Sequence, residues 1–207
     1  MQRSVLLPVL IAAAIAGAAT AWFVLRAGSA PPVLEQATLL DAPRPLPDFG
    51  LTDQAGQSFG RERLRGHWTL MFFGFTNCPD LCPTTLATLA DVRRQLADLP
   101  ASDRPAVVLV SVDPGRDTPE ALGRYVAHFD PQFLGVTGPP ASLEILTRDL
   151  GVAFAIGPPS ADGNYSVDHT AAIFLIDPAA AFSAVFGNPQ VADVIARDYR
   201  RIVAAAH

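Results

Sequence analysis

From Val5 to Leu25 the chain is almost wholly apolar and carries no charged side chain. About 20 such residues suffice to cross a bilayer as a helix, whereas a cleavable signal peptide has an apolar core of only about 7–15. Residues 1–26 are therefore expected to be an N-terminal membrane anchor. The small residues Ala27-Gly-Ser-Ala30 keep cleavage open as the alternative. Arg3 and Arg26 flank the stretch evenly, so charge does not fix its orientation. Residues 27–47 then bring Pro31, Pro32, Pro43, Pro45 and Pro47, a density that predicts an extended tether.

From about Asp48 the pattern becomes that of one globular domain, residues 48–207. Leu46 to Phe59 predicts a short hairpin turning at Asp53-Gln-Ala-Gly56. Trp68 to Phe75 and Ala106 to Val112 are continuous apolar runs, as strands buried on both faces require. Between them Pro83 opens a helix at its first position, with Leu86, Leu89, Ala90, Val92 and Leu96 as its apolar stripe. Asp117-Thr-Pro-Glu120 reads as a helix start with Asp117 as cap, the helix running to about Phe129. Phe133 to Thr137 predicts a strand, Ser142 to Leu150 a helix ended by Gly151, and Val152 to Ile156 another strand. A loop over Gly157 to Val167 with a turn at Asp162-Gly163-Asn164 leads to a strand over Ala171 to Ile176. A hairpin strand over Phe182 to Phe186 and a closing helix over Pro189 to Ala206 finish the chain. Strands alternating with helices predict an α/β sandwich.

Composition narrows the chemistry. The 207 residues have a net charge of −5, and all 15 basic residues are arginine. The absence of lysine excludes Schiff-base catalysis and a Walker A phosphate loop. No basic stripe with interleaved aromatics is present, so nucleic acid is not an expected partner. Two cysteines are too few for a disulfide framework.

Those two cysteines stand together in Cys78-Pro-Asp-Leu-Cys82, directly after a buried strand and at the start of a helix. Residues i and i+4 of a helix share a face, with Cβ atoms about 5–6 Å apart, and bridged cysteines have Cα atoms about 4.4–6.8 Å apart. The pair can therefore close a disulfide or bind one metal ion. A helix N-terminus lowers a thiol pKa, which suits either role. A single cysteine is as often an inert core filler; the only two of a chain, at this spacing and flanked by Pro79 and Pro83, are not read that way.

Two thiolates leave a metal underliganded. Of the four histidines, His67 reads as a surface turn residue, His128 as solvent-facing and His207 as the C-terminus. His169, in Asp168-His-Thr170 at the mouth of the Ala171 strand, falls where a sheet of parallel strands gathers functional groups at one rim. Two thiolates and an imidazole fit Cu(I), which accepts soft ligands. Zinc, which takes four ligands, stays open, with Asp168 or Asp113 as the fourth.

Three segments in this order resemble the SCO/SenC family of copper-binding cytochrome c oxidase assembly factors. They are Phe73-Gly-Phe-Thr-Asn-Cys-Pro-Asp-Leu-Cys-Pro83, Val110-Ser-Val-Asp-Pro-Gly-Arg-Asp-Thr-Pro119, and Asp168-His-Thr170 before Phe174-Leu-Ile-Asp-Pro178. The resemblance spans about Pro47 to the end and includes the N-terminal anchor. Asn77 departs from it, since many members have histidine there. It implies a thioredoxin-like three-layer sandwich with an N-terminal hairpin, preceded by one transmembrane helix. It implies Cys78, Cys82 and His169 as copper ligands, in the Cu(I) or Cu(II) state, with Asp113 and Asp168 beside them as possible tuning residues. It further implies copper delivery to the CuA site of oxidase subunit II, with other copper chaperones or thiol reductants as partners; the anchor and the thiol chemistry together lead us to expect a single-pass position in a bacterial inner membrane with the domain in the periplasm. An oxidising compartment suits a dithiol that alternates between metal and a Cys78–Cys82 disulfide.

Two other classes fit the motif less well. A thiol–disulfide oxidoreductase, reducing the client's cysteines, would carry two residues between its cysteines and a proline before the Ala171 strand. Here there are three, and Asp168-His-Thr170 takes the proline's place. A peroxiredoxin places threonine three residues before its nucleophile, where this chain has Phe75 and Pro79.

Overall fold

The run after Trp68 forms the centre of a mixed sheet. In the structure, a computed structural model, residues 32–158 and 165–206 are described, together with Ala13, Ala14, Gly17 and Thr20. The elements in order are β1 (Ala37–Pro45), β2 (Leu51–Asp53), β3 (Ser58–Phe59), β4 (Thr69–Gly74), α1 (Leu81–Gln95), β5 (Ala106–Ser111), α2 (Pro119–Ala127), β6 (Leu134–Thr137) and α3 (Pro140–Leu150). Then follow β7 (Phe154–Ile156), β8 (Val167–His169), β9 (Ile173–Ile176), β10 (Ala181–Phe186) and α4 (Ala192–Ala205). Short 3-10 turns at Arg61–Leu64 and Ala101–Asp103 lead into β4 and β5.

Eight strands form one sheet in the order β1-β10-β9-β4-β5-β6-β2-β3, and β7 and β8 make a separate two-stranded ribbon. β4, β5 and β6 are parallel; β9, β10 and β1 on one flank and β2 and β3 on the other each join their neighbours by antiparallel pairing. The sheet is thus mixed rather than parallel throughout, as an α/β domain closed by a hairpin must be. Every residue of β4 is buried, as is every residue of β5 after Ala106. Covering both faces is what makes their sequences continuous apolar runs. α1 packs against α4, and Arg93 joins α1 to Asp130, just past α2, at 2.6 Å. Gly151 ends α3 in the left-handed region at φ 71°, where glycine pays no Cβ penalty.

The structure departs from the sequence reading in several places. Ala37–Pro45, within the proline-rich stretch read as a tether, is a strand added to the sheet edge beside β10. The buried carboxylate of Asp198 in α4 holds its entry, accepting the N–H groups of Glu35, Gln36 and Ala37 at 2.7–3.0 Å. α1 begins at Leu81, so Pro83 is its third residue, where a missing N–H still needs no partner. The cap of α2 is Thr118, whose hydroxyl accepts the Ala121 N–H, and not Asp117. The Ala171 strand starts only at Ile173. The expected anchor over Val5–Leu25 lies outside the described residues except for four exposed helical positions, and the Asp162-Gly163-Asn164 turn and His207 lie outside them too. Among the described residues no helix is long and apolar enough to cross a membrane.

Candidate metal centre

Topology brings the cysteines and the histidine to one rim. β4 and β5 run parallel, with Gly74 beside Ser111, so their C-terminal ends are level. β9 runs antiparallel to β4, with Ile173 opposite Phe72, so the chain entering β9 arrives where the chain leaves β4. Cys78 and Cys82 follow β4, and His169 precedes β9 by a few residues. One ligand atom from each, the two Sγ atoms and an imidazole nitrogen, lie within 4.8 Å of one another. Among the described residues this is the one such cluster of metal-ligating groups, and it is the set predicted from sequence.

Cys78 does not sit on the helix. It lies two residues before Asp80, the residue that caps α1 by position but whose side chain accepts no backbone N–H of the first turn. The Cys78 sulfur takes that place, accepting the Cys82 N–H at 3.4 Å at the positive end of the helix dipole. Both thiols are free. Cys78 is half-buried and Cys82 fully buried. Burial pushes the Cys82 thiol far above its usual range, outweighing the Phe75 N–H bond to its sulfur. The helix N-terminus, expected to lower the cysteine pKa, loses to desolvation here.

The approach of Cys82 to the sheet depends on Gly74. A Cβ at that position would lie 2.7 Å from Cys82 Sγ, well inside contact distance. His169 Nε2 stands 3.5 Å from the same sulfur. Its Nδ1 is 3.2 Å from the Thr170 carbonyl, a contact that assigns the proton to Nδ1 and leaves the Nε2 lone pair facing the thiols. Burial holds the His169 pKa below its usual value, against the Thr170 carbonyl and the Asp168 charge, so the ring is neutral at pH 7. Phe72 and Phe75 pack edge-on against the imidazole, at centroid distances of 5.8 and 6.0 Å. Two soft sulfurs and an unprotonated imidazole nitrogen in a partly dry setting fit a soft metal ion, Cu(I) above all.

Neither acidic candidate joins the cluster. Asp113 is 1% exposed, and both its oxygens are engaged, one by the Tyr165 hydroxyl at 2.7 Å and the other by Arg116 Nε at 2.5 Å. Asp168 lies on the opposite face of β8 from His169 and acts on it only through charge. A fourth ligand for zinc is thus not in place among the described residues. His67 is half-buried and His128 exposed, both away from the cluster.

Two supports were not predicted. Asp117, 1% exposed, accepts the Thr76 N–H at 3.0 Å, the Thr76 hydroxyl at 2.5 Å and the Ser111 hydroxyl at 2.6 Å. It ties the end of β5 to the loop that carries Cys78. Tyr165, with Arg116 and Asp113, ties the same β5 end to the segment leading to His169. The sequence signal for both was Asp113-Pro-Gly-Arg-Asp117, which local rules read as a turn and a cap. In front of the thiols opens a cleft of about 740 Å³, lined by Phe75, Cys78, Leu81, Tyr165, Asp168 and His169 among others. Asn77 and Pro79 are exposed at its edge.

The SCO1/SenC family model matches residues 38–204, which include all three clustered residues and both supports. The human protein SCO2 homolog, mitochondrial, is 38% identical over 194 residues, covering 92% of this chain and 72% of that protein. The mouse SCO2 homolog is 41% identical over 162 residues, covering 77% of this chain, which spans only 63% of that relative's length. Among solved structures, ScoI of Bradyrhizobium japonicum with copper bound superposes with a TM-score of 0.67 at 36% identity, covering 76% of this chain and 98% of that one. A rim that gathers two thiols and an imidazole, on a fold and sequence shared this widely, has one consistent assignment: the chain belongs to the SCO1/SenC family.

Proposed function

We propose that this chain is a copper chaperone that carries one copper ion on Cys78 Sγ, Cys82 Sγ and His169 Nε2 and hands it to cytochrome c oxidase during assembly. The observation that carries the reading is the convergence of these three donors within 4.8 Å. Copper in the structure of a 36% identical relative supports it. The recipient we propose is the dinuclear CuA site of oxidase subunit II, with other copper chaperones or thiol reductants loading the site. The apolar stretch Val5–Leu25 would hold the domain at a bacterial inner membrane, on the periplasmic side. Copper is cargo here, so the chain's task is to bind and release it. Cys82 must shed the proton that burial holds on it, and His169 is already neutral, so loading releases protons and weakens as pH falls.

The test is copper stoichiometry and affinity. The purified full-length chain is loaded with Cu(I) beside Cys78→Ser, Cys82→Ser and His169→Ala. The wild type is expected to hold one copper per chain, and each variant to bind at least tenfold more weakly. A His169→Ala protein that binds as tightly as wild type overturns the three-ligand reading.

One feature favours a second reading, reduction of the client's cysteines. The thiol pair is asymmetric: Cys78 is accessible and Cys82 is buried behind it. In that chemistry Cys78 thiolate attacks the client disulfide, a mixed disulfide forms, and Cys82 displaces the client thiol. The chain is left with a Cys78–Cys82 disulfide and the client with two thiols. Rapid turnover of a disulfide-linked subunit II peptide by metal-free protein, undiminished in His169→Ala, would favour this over delivery.

A further inference from the structure

His169 reaches the site on a weak support. β8 has three residues and pairs only with β7, in a ribbon outside the main sheet. An isolated two-stranded ribbon is marginal in water, so something else must hold the imidazole at its distance from the thiols.

That something lies four residues upstream, at Tyr165. Its hydroxyl donates to Asp113 Oδ1 at 2.7 Å. Its carbonyl accepts from Arg116 Nη1 at 3.1 Å. Its ring lies 3.6 Å from the Arg116 guanidinium carbon, a stacked cation–π contact. Arg116 Nε in turn donates to Asp113 Oδ2. The guanidinium also sits 5.7 Å from the Phe75 ring, and Phe75 packs edge-on against His169. Asp113 is fixed to the end of β5, with its N–H on the Ser111 hydroxyl, and Ser111 is level with Gly74 on β4. The β5 end therefore grips the histidine arm through Tyr165, while the next residue after Arg116, Asp117, grips the cysteine loop through Thr76.

We propose that Tyr165, Arg116 and Asp113 form a clamp of positioning residues, which sets the reach of His169 to the metal without touching it. This inference rests on the three-ligand reading above. The loop between β5 and α2 supplies no ligand; its role is to hold the two ligand-bearing arms at a fixed separation. Loss of the clamp leaves both thiolates in place but lets the imidazole drift. The site then tends towards two-coordinate copper.

The experiment is a double-mutant cycle on the full-length chain, using Cu(I) and a competing chromophoric chelator. Tyr165→Phe removes a single hydroxyl and keeps the ring under Arg116. It is expected to weaken Cu(I) binding about tenfold. In the His169→Ala background the same substitution should change affinity less than twofold, because the group being positioned is gone. Copper X-ray absorption should show the nitrogen contribution of the wild type diminished in Tyr165→Phe while the two sulfur contributions remain. Arg116→Gln should behave alike and serves if Tyr165→Phe does not fold. Unchanged affinity in Tyr165→Phe overturns the clamp, and so does an equal loss with and without His169. Unchanged affinity in His169→Ala alone overturns the three-ligand reading instead, so the two failures are told apart.

Discussion

Asp117 offers the sharpest test of how the rim is held together. Its carboxylate accepts three hydrogen bonds with almost no exposure to water. Asp117→Ala removes the acceptor and strands the buried Ser111 hydroxyl and the N–H of half-buried Thr76. Each stranded group costs about 1–3 kcal/mol, and relief of one buried charge offsets part of that. A net loss of about 3–4 kcal/mol is expected. Asp117→Asn behaves differently. With its carbonyl at the Oδ2 position it still accepts from Thr76 N–H and Ser111, and its amide donates to the Thr76 hydroxyl, which turns to accept. The three former partners are met, but the charge is lost, which weakens each bond by about half, and the second amide hydrogen finds no acceptor among them, so about 1–2 kcal/mol is expected. Urea unfolding of the metal-free chain measures both, and hydrogen exchange at the Thr76 amide should quicken in the order wild type, Asn, Ala. If both variants unfold within about 0.5 kcal/mol of wild type, the carboxylate's own desolvation cancels its bonds and the strut has no energetic content.

Two further predictions bear on the site and on the edge of the sheet. Gly74→Ala puts a Cβ 2.7 Å from Cys82 Sγ and 3.1 Å from the Phe72 ring, with no free space on either side; overpacking of this kind costs about 1–3 kcal/mol, and the displaced sulfur should lower Cu(I) affinity, so unchanged binding by competition would show that the sulfur has room to move. For Asp198, burial raises the pKa, but the N–H groups of Ala37, Gln36 and Glu35 and the Arg201 charge outweigh it and hold the carboxyl below its usual value. The unfolded chain therefore binds the proton more tightly, so this group's contribution is complete above its unfolded pKa of about 3.9 and is lost as pH falls through the lower folded value; denaturant titrations from pH 7 downward should show a larger acid loss in the wild type than in Asp198→Asn, with faster hydrogen exchange along β1 in the variant at neutral pH.

What the sequence made legible follows from the range of the forces involved. β4 and β5 were readable because burial on both faces leaves a mark on every residue of the strand. Cys78 and Cys82 were readable because metal and redox chemistry needs those residue types, and His169 because two thiols demand a third donor. β1 was not readable. Most of its residues face water, it contains Pro43 and Pro45, and its anchor is Asp198, more than 150 positions away. Asp117 was misassigned for a related reason. In Asp-Thr-Pro-Glu both Asp117 and Thr118 satisfy the local rule for a cap, and only the fold reveals that Thr76, 41 positions earlier, claims the carboxylate. The Tyr165 clamp likewise joins residues 49 and 52 positions apart.

Cys82 shows how one position can obey a local rule and still be decided by a distant one. A helix N-terminus acts on charge through about a turn of free N–H groups, an effect of about 0.3–1 kcal/mol at an exposed site. Desolvation acts on the whole sulfur, and the sheet that desolvates it is built from β4 and β5, not from α1. The second effect is the larger, so Cys82 keeps its proton until a metal ion or a disulfide takes its place. Cys78 meets the cleft first and receives the Cys82 N–H. Under the proposed function, two cysteines that look equivalent in the motif would therefore act in order, Cys78 meeting the incoming copper or client sulfur first and Cys82 completing the exchange.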